Sequence, residues 1–118
     1  MANTFGKEQK LKSKKQITQL FDEGKTVTKF PIKVFYIPLA SAEVSKAAFA
    51  VPKRNFKSAV TRNRIKRQLR EAYRLQKEVL NKNNGTHFAL LFLYISKDKP
   101  QYGKLSSSMA ALLKKITP

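Results

Sequence analysis

The chain has 118 residues, and its 25 lysines and arginines against 7 acidic residues give a formal net charge of +18. One domain is expected at this length, and a hydrophobic content of 42% excludes a wholly disordered chain. The absence of cysteine excludes disulfides, thiolate metal sites and cysteine nucleophiles. The sequence shows neither an apolar run of membrane-spanning length nor a secretory signal, so we expect a cytoplasmic protein without a membrane partner.

The first half of the chain predicts one helix and two strands. Residues 1–12 read as a basic lead-in, followed by a single domain over residues 13–118. Ser13 and Gln16 have the spacing of a capping box, which predicts a short helix that ends at Gly24. The β-branched and aromatic residues of 30–39 predict a strand, and a second strand is predicted over 46–51. Because the connection is short, the two strands are expected to pair as an antiparallel hairpin.

The second half predicts a long helix, a buried strand and a final helix. Ser58 is a candidate N-cap for the long helix, whose apolar face stops at residues 83–85. The continuous apolar run from His87 to Ile95 predicts a strand buried on both faces, which favours a central or parallel position. The last helix is predicted from apolar residues at helical spacing, Leu105, Met109, Leu112 and Ile116. The order α-β-β-α-β-α predicts an α+β fold, a two-layer α/β sandwich with one sheet.

Positive charge concentrates in the long helix and in the loop before it. Residues 53–77 hold ten lysines and arginines against the single acid Glu71, which is +9 of the total +18. Cations crowd the first helical turns, where the macrodipole is positive and like charges repel, so a bound phosphate would stabilise them. A solvated charged face is the alternative, but the nearly pure sign favours a nucleic-acid-binding helix. About one third of the helix circumference holds Asn63, Lys66, Arg67, Arg70, Arg74 and Lys77.

Aromatic rings are candidates for stacking on unpaired bases, and groups with catalytic chemistry are scarce. Phe21, Phe35 and Tyr36 could stack on bases or belong to the core. Phe35 and Tyr36 alternate along one strand, so their rings are predicted on opposite faces, one of them near solvent.

The acidic residues form no metal-ligand spacing, His87 stands alone, and the glycines form no phosphate loop. The polypeptide by itself is not expected to catalyse a reaction.

The block Ala59-Val-Thr-Arg-Asn-Arg-Ile-Lys-Arg-Gln-Leu-Arg-Glu71 resembles the Arg-Asn-Arg signature of the bacterial ribonuclease P protein subunit. Ala50-Val-Pro-Lys-Arg54 and the Phe21-x-x-Gly24 helix end are similar to that family too, and the order of elements fits over about residues 7–117. The resemblance implies a left-handed β-α-β crossover around the long helix, contrary to the general rule. It also implies a tRNA-processing ribonucleoprotein, in which an RNA subunit cleaves the 5′ leader from precursor tRNA with Mg²⁺.

The resemblance also implies which residues bind which RNA. Together with the charge pattern, it assigns contact with the catalytic RNA to Lys53, Arg54, Arg62, Asn63, Arg64, Lys66, Arg67, Arg70 and Arg74. A cleft between the first helix and the sheet would receive the single-stranded leader, and its expected lining is Phe21, Phe35, Tyr36 and Ile17. Ile17 stands where family members often carry an aromatic. No catalytic residue and no metal ligand is expected in the protein, Mg²⁺ being held mainly by RNA, and the free protein is expected to be monomeric.

Three other functions share parts of this pattern. A ribosomal protein or general RNA chaperone would have the charge and the fold but no need of a leader cleft. A DNA-binding regulator would insert the long helix into a major groove, but that helix lacks the two short helices of a helix-turn-helix. A protein-only nuclease would need the carboxylate cluster that the acidic residues do not form, and it would act without added RNA.

Overall fold

The computed structural model describes residues 14–39, 45–76 and 87–116. In chain order these residues form α1 (Lys14–Glu23), β1 (Lys25–Lys29), β2 (Ile32–Leu39), β3 (Lys46–Ala50), α2 (Ala59–Gln76), β4 (His87–Tyr94) and α3 (Tyr102–Ile116). The predicted basic lead-in, Ser13 of the predicted capping box and the predicted helix end at 83–85 lie outside the described residues. The mixed α+β fold is confirmed.

The four strands form one sheet in the order β1-β2-β4-β3. β2 pairs antiparallel with both β1 and β4, whereas β3 pairs parallel with β4. The predicted hairpin between residues 30–39 and 46–51 is therefore wrong, because β4 lies between those two strands. A strand that is apolar on both faces is buried best between two neighbours, and β4 takes that central position as its sequence predicts.

The hairpin that does form joins β1 to β2. β1 has the sequence Lys-Thr-Val-Thr-Lys, and only Val27 packs against the core, which is why composition did not predict a strand there. Such a polar strand suits a sheet edge, where one side of the backbone faces solvent.

Helices cover the two faces of the sheet unequally. α2 and α3 pack on one face and, with the inward residues of the strands, form the main core around Phe92, Leu69 and Leu112. The rings of Tyr73 and Phe92 lie 5.4 Å apart there. α1 packs on the opposite face, where its fully buried Leu20 contacts Ala89 and Leu91. Since β3 and β4 are parallel, α2 forms the β-α-β connection between them, as the resemblance implied.

Two helix ends follow their predicted signals. Ser58 caps α2: its carbonyl accepts the Arg62 N–H at 3.0 Å, and its hydroxyl accepts the Thr61 N–H at 3.4 Å. α1 ends at Gly24, whose N–H donates to the Leu20 carbonyl at 3.0 Å. A Cβ on Gly24 would lie 2.3 Å from that carbonyl oxygen, which is closer than van der Waals contact permits. Gly24 therefore lets α1 end directly above the sheet.

Substitution Gly24→Ala is expected to lower the free energy of unfolding by about 1–3 kcal/mol, since the backbone of Leu20 must move away from the new methyl group. Gly103→Ala is the matched control, because a Cβ there meets no atom within 4 Å and alanine favours the helix. Urea unfolding of both variants measures the difference. Equal stability of the two variants would contradict the close contact at Gly24.

Candidate nucleic-acid interface

The helix α2 separates an apolar stripe from a basic face. Its buried residues are Ile65, Leu69, Ala72 and Tyr73, all directed at the core. The predicted RNA contacts lie outside that stripe: Asn63, Arg64 and Arg67 are exposed, and Lys66, Arg70 and Arg74 are partly exposed. At 100° per residue Arg64 falls on the other flank of the stripe from Lys66 and Arg70. The structure therefore presents cations on both flanks of α2.

Two of the predicted RNA-binding arginines already hold partners within the protein. The Arg62 guanidinium donates to the carbonyls of Phe56 and Lys57 at 2.8 and 2.9 Å. It thereby fixes the loop that leads into α2. The Arg74 guanidinium binds both carboxylate oxygens of Glu71 at 2.6 and 3.0 Å. This hydrogen bonding, with Arg70 nearby, lowers the pKa of Glu71.

The topology brings a second basic loop to the start of α2. Because β3 and β4 are parallel, the loops after them emerge at the same edge of the sheet. Lys53 and Arg54 are exposed on the first loop. A hollow of about 540 Å³ between the loops is lined by Arg54, Asn55, Ile95 and Lys97. A smaller one of about 190 Å³ lies beside α2, lined by Thr61, Arg64, Ile65, Gln68, Lys99 and Pro100.

Lys97 and Lys99 therefore extend the basic surface, and sequence reasoning missed both. The sequence prediction paired residues 30–39 with 46–51 and did not include the pairing of β3 with β4, so it gave no position for the loop after β4. A signal was available, since a parallel β3-α2-β4 unit puts the ends of β3 and β4 at one edge.

Hydrogen bonds hold the backbone of this second loop in place. The Tyr94 hydroxyl donates to the Asp98 carbonyl at 2.5 Å, and the Asp98 N–H donates to the Ser96 hydroxyl at 3.0 Å. Ser96 is buried, and burial raises the pKa of Tyr94. The side chains of Lys97 and Lys99 are exposed on either side of this turn. The loop thus presents two lysines on a fixed support.

The predicted cleft lies on the opposite face of the sheet, beside α1. The rings of Phe21 and Phe35 are 4.9 Å apart at an angle of 59°, and Phe21 is 54% exposed. The Lys33 ammonium group lies 5.1 Å from the centre of the Phe35 ring. Ile17 is partly buried and packs against the small core formed by Leu20 with β4. The structure therefore brings Phe21, Phe35 and Ile17 together, with a cation beside them.

Tyr36 does not belong to this cleft, which corrects the sequence prediction. Its side chain lies on the other face of β2, where it packs against the main core and meets the Phe88 ring edge-on at 5.9 Å. Alternation along the strand places Phe35 and Tyr36 on opposite faces, as predicted. The ring that remains beside the cleft is that of Phe35.

None of the described helices is long and apolar enough to cross a membrane. Within residues 14–39, 45–76 and 87–116, no group of three or more histidine, aspartate or glutamate residues is placed to hold a metal ion.

An α+β domain with a basic helix on one face of its sheet and an exposed aromatic ring, that of Phe21, on the other has the features of an RNA-binding protein. Comparisons with known proteins are more specific. The family described as Ribonuclease P matches residues 5–117. A ribonuclease P protein component of Porphyromonas gingivalis is 35% identical, with 96% of this chain and 88% of that protein covered. One from Caldanaerobacter subterraneus is 35% identical over 90% of this chain and 87% of that protein.

Solved structures agree on the fold. The RNase P protein of Thermotoga maritima superimposes with a TM-score of 0.77 at 21% identity, covering 92% of this chain and 98% of that one. The Staphylococcus aureus RNase P protein gives a TM-score of 0.72 at 19% identity, covering 92% and 94%. The chain belongs to the ribonuclease P protein family.

Proposed function

We propose that this chain is the RNA-binding subunit of a ribonuclease P ribonucleoprotein, which removes the 5′ leader from precursor tRNA. The observation that supports this best is the separation of two surfaces by one sheet. The cations of α2 lie on one side of the sheet, and the pair Phe21 and Phe35 lies on the other. A structured RNA on α2 and a single strand beside α1 can therefore be bound at the same time.

The two surfaces suit two kinds of RNA. Arginine and lysine side chains along a helix bind phosphates whatever the sequence, so α2 suits the folded catalytic RNA. Aromatic rings near solvent stack on unpaired bases, and a nearby cation such as Lys33 attracts the connecting phosphate. Because only the precursor carries a leader, contacts in the cleft favour precursor over mature tRNA.

In this proposal the RNA subunit performs the cleavage. Mg²⁺ is a hard cation that prefers oxygen ligands and retains several waters, so phosphate oxygens of the RNA suit it well. The protein's own residues bind and orient RNA and neutralise phosphate charge, and none of them acts as an acid or base in the reaction. We further expect the free protein to be a monomer that acts in the cytoplasm.

Reconstitution with a bacterial ribonuclease P RNA tests this function. At low Mg²⁺, precursor tRNA should be cut at the 5′ leader much faster with protein and RNA together than with RNA alone. Protein without RNA should give no cleavage. If cleavage by the RNA were unaffected by the protein, a general RNA-binding or ribosomal role would replace the proposal. Cleavage by the protein alone would indicate a protein-only nuclease instead.

Substitutions in the loop after β4 test whether this loop binds RNA together with α2. The double variant Lys97→Ala with Lys99→Ala should weaken binding to the RNA subunit and lower the slope of log affinity against log salt by about one unit for each lost phosphate contact. Titration by filter binding between 50 and 300 mM salt measures the slope.

The double variant Lys29→Ala with Lys115→Ala is the matched control for that pair, since it removes two charges as well, from exposed lysines in β1 and in the last turn of α3. An equal fall in slope for this control and for the variant of Lys97 and Lys99 would mean that total charge matters and the position of the loop does not.

A further inference from the structure

The turn between β1 and β2 carries an exposed aromatic ring on a fixed backbone. Phe30 is 67% exposed. Its carbonyl accepts a hydrogen bond from the Ser108 hydroxyl of α3 at 2.9 Å. The next carbonyl, of Pro31, accepts the Ile95 N–H at 2.8 Å. Most of the Phe30 residue therefore faces solvent, on a turn that hydrogen bonds tie to two other elements.

A hollow of about 350 Å³ lies beside this ring, within the size range of small-ligand pockets. Its lining combines aromatic, cationic and amide groups: Phe30, Pro31, Tyr94, Ser96, Asp98, Lys99, Pro100, Gln101, Lys104 and Leu105. These residues include two lysines and one aspartate, so the lining carries a net positive charge. The floor is rigid, because Tyr94 and Ser96 hold the Asp98 backbone in the hydrogen bonds described above.

We propose that this hollow binds one unpaired nucleotide of RNA, with its base stacked on Phe30 and its phosphate between Lys99 and Lys104. An aromatic face with a cation beside it is the arrangement that binds single-stranded nucleic acid with little sequence preference. The exposed amide of Gln101 can add hydrogen bonds to a base edge or ribose. The choice of RNA as ligand rests on the proposed function and on the chain's net charge of +18.

This site is distinct from the cleft beside α1. Phe35 lies three residues into β2 from Ile32, so roughly 10 Å of strand separates the cleft from the turn that holds Phe30. Lys99 also lines the small hollow beside Arg64 of α2. The hollow at Phe30 therefore adjoins the basic surface of α2 and can hold a nucleotide that protrudes from an RNA bound there.

Amide chemical shifts of the ¹⁵N-labelled full chain test the site, with a single-stranded adenylate hexamer and a blunt-ended RNA duplex as probes at equal phosphate concentration. The hexamer should shift the amides of Ser96, Asp98 and Lys104, and the duplex should not. Phe30→Ala should abolish these shifts, and Phe30→Tyr should retain them. Phe21→Ala should leave them unchanged, since that ring belongs to the cleft.

Three outcomes would overturn the proposal: no shifts at these amides, equal shifts with the duplex, or shifts that persist in Phe30→Ala. Thermal unfolding of Phe30→Ala should match that of the unmodified chain, because the ring is exposed.

The source of the nucleotide follows from two affinities measured with the same variants. A loss of about 5- to 150-fold for Phe30→Ala in binding the RNA subunit assigns the nucleotide to that subunit. If only the affinity of the holoenzyme for precursor tRNA falls by this factor, the nucleotide belongs to the substrate. No loss in either affinity would overturn the site as a part of the ribonucleoprotein. If the protein fails to stimulate cleavage while the amide shifts still depend on Phe30, the proposed function fails and the nucleotide site stands.

Discussion

Joint replacement of Arg67 and Arg70 by alanine is expected to weaken binding of the chain to ribonuclease P RNA by on the order of 100-fold at moderate salt. Arg67 is exposed and Arg70 partly exposed on the basic face of α2, one helical turn apart. Each can contact one phosphate, so the slope of log affinity against log salt should fall by about two units. Filter binding over a range of salt concentrations measures both quantities.

The same assay separates this effect from a general loss of charge. Joint replacement of two lysines in other regions, Lys29 of β1 and Lys115 of α3, removes as much charge and should change the slope far less. Lys29 and Lys115 are exposed, so their replacement is not expected to unfold the protein. The same is expected for Arg67, which is exposed, and Arg70, which is partly exposed. If the two double variants behaved alike, the assignment of α2 as the RNA-binding helix would be wrong.

Substitution Phe21→Ala is expected to reduce the preference of the holoenzyme for precursor over mature tRNA by about 5- to 150-fold, the range for loss of one base-stacking contact. Phe21 is more than half exposed, and its ring contacts the Phe35 ring. Its removal therefore takes away a surface for base stacking and destabilises the core little. Affinities for precursor and mature tRNA, measured with the same holoenzyme, give the preference directly.

Leu75→Ala is the control for Phe21→Ala, because Leu75 is a 48% exposed apolar residue on α2, on the far side of the sheet. Its replacement should leave the preference unchanged. An equal loss of affinity for precursor and for mature tRNA in Phe21→Ala would mean that the ring contacts the tRNA body and not the leader.

The helices could be predicted from the sequence because their signals are local. Ser58 caps α2 and Gly24 ends α1, as the sequence indicates, and the apolar stripe of α3 is buried as its spacing predicts. Strand pairing could not be predicted in the same way, because it depends on contacts between distant segments. The short connection suggested a hairpin of β2 with β3, yet the burial of β4 on both faces places it between them.

In the candidate site, too, features that depend on local sequence could be predicted, and features that depend on contacts between distant segments could not. The basic face of α2 could be predicted from charge and helical spacing, whereas the internal partners of Arg62 and Arg74 depend on side-chain packing. Lys97 and Lys99 were missed because only the parallel pairing of β3 with β4 brings their loop to α2. Tyr36 was assigned to the cleft, although strand alternation alone places it on the opposite face from Phe35.

The most direct test of the account is the affinity of the reconstituted holoenzyme for one tRNA with and without its 5′ leader. The RNA subunit alone serves as the reference. Adding the protein is expected to raise affinity for the leader-bearing precursor and to leave affinity for mature tRNA nearly unchanged. An equal increase for both RNAs would contradict it, because a protein that binds the leader must distinguish the two.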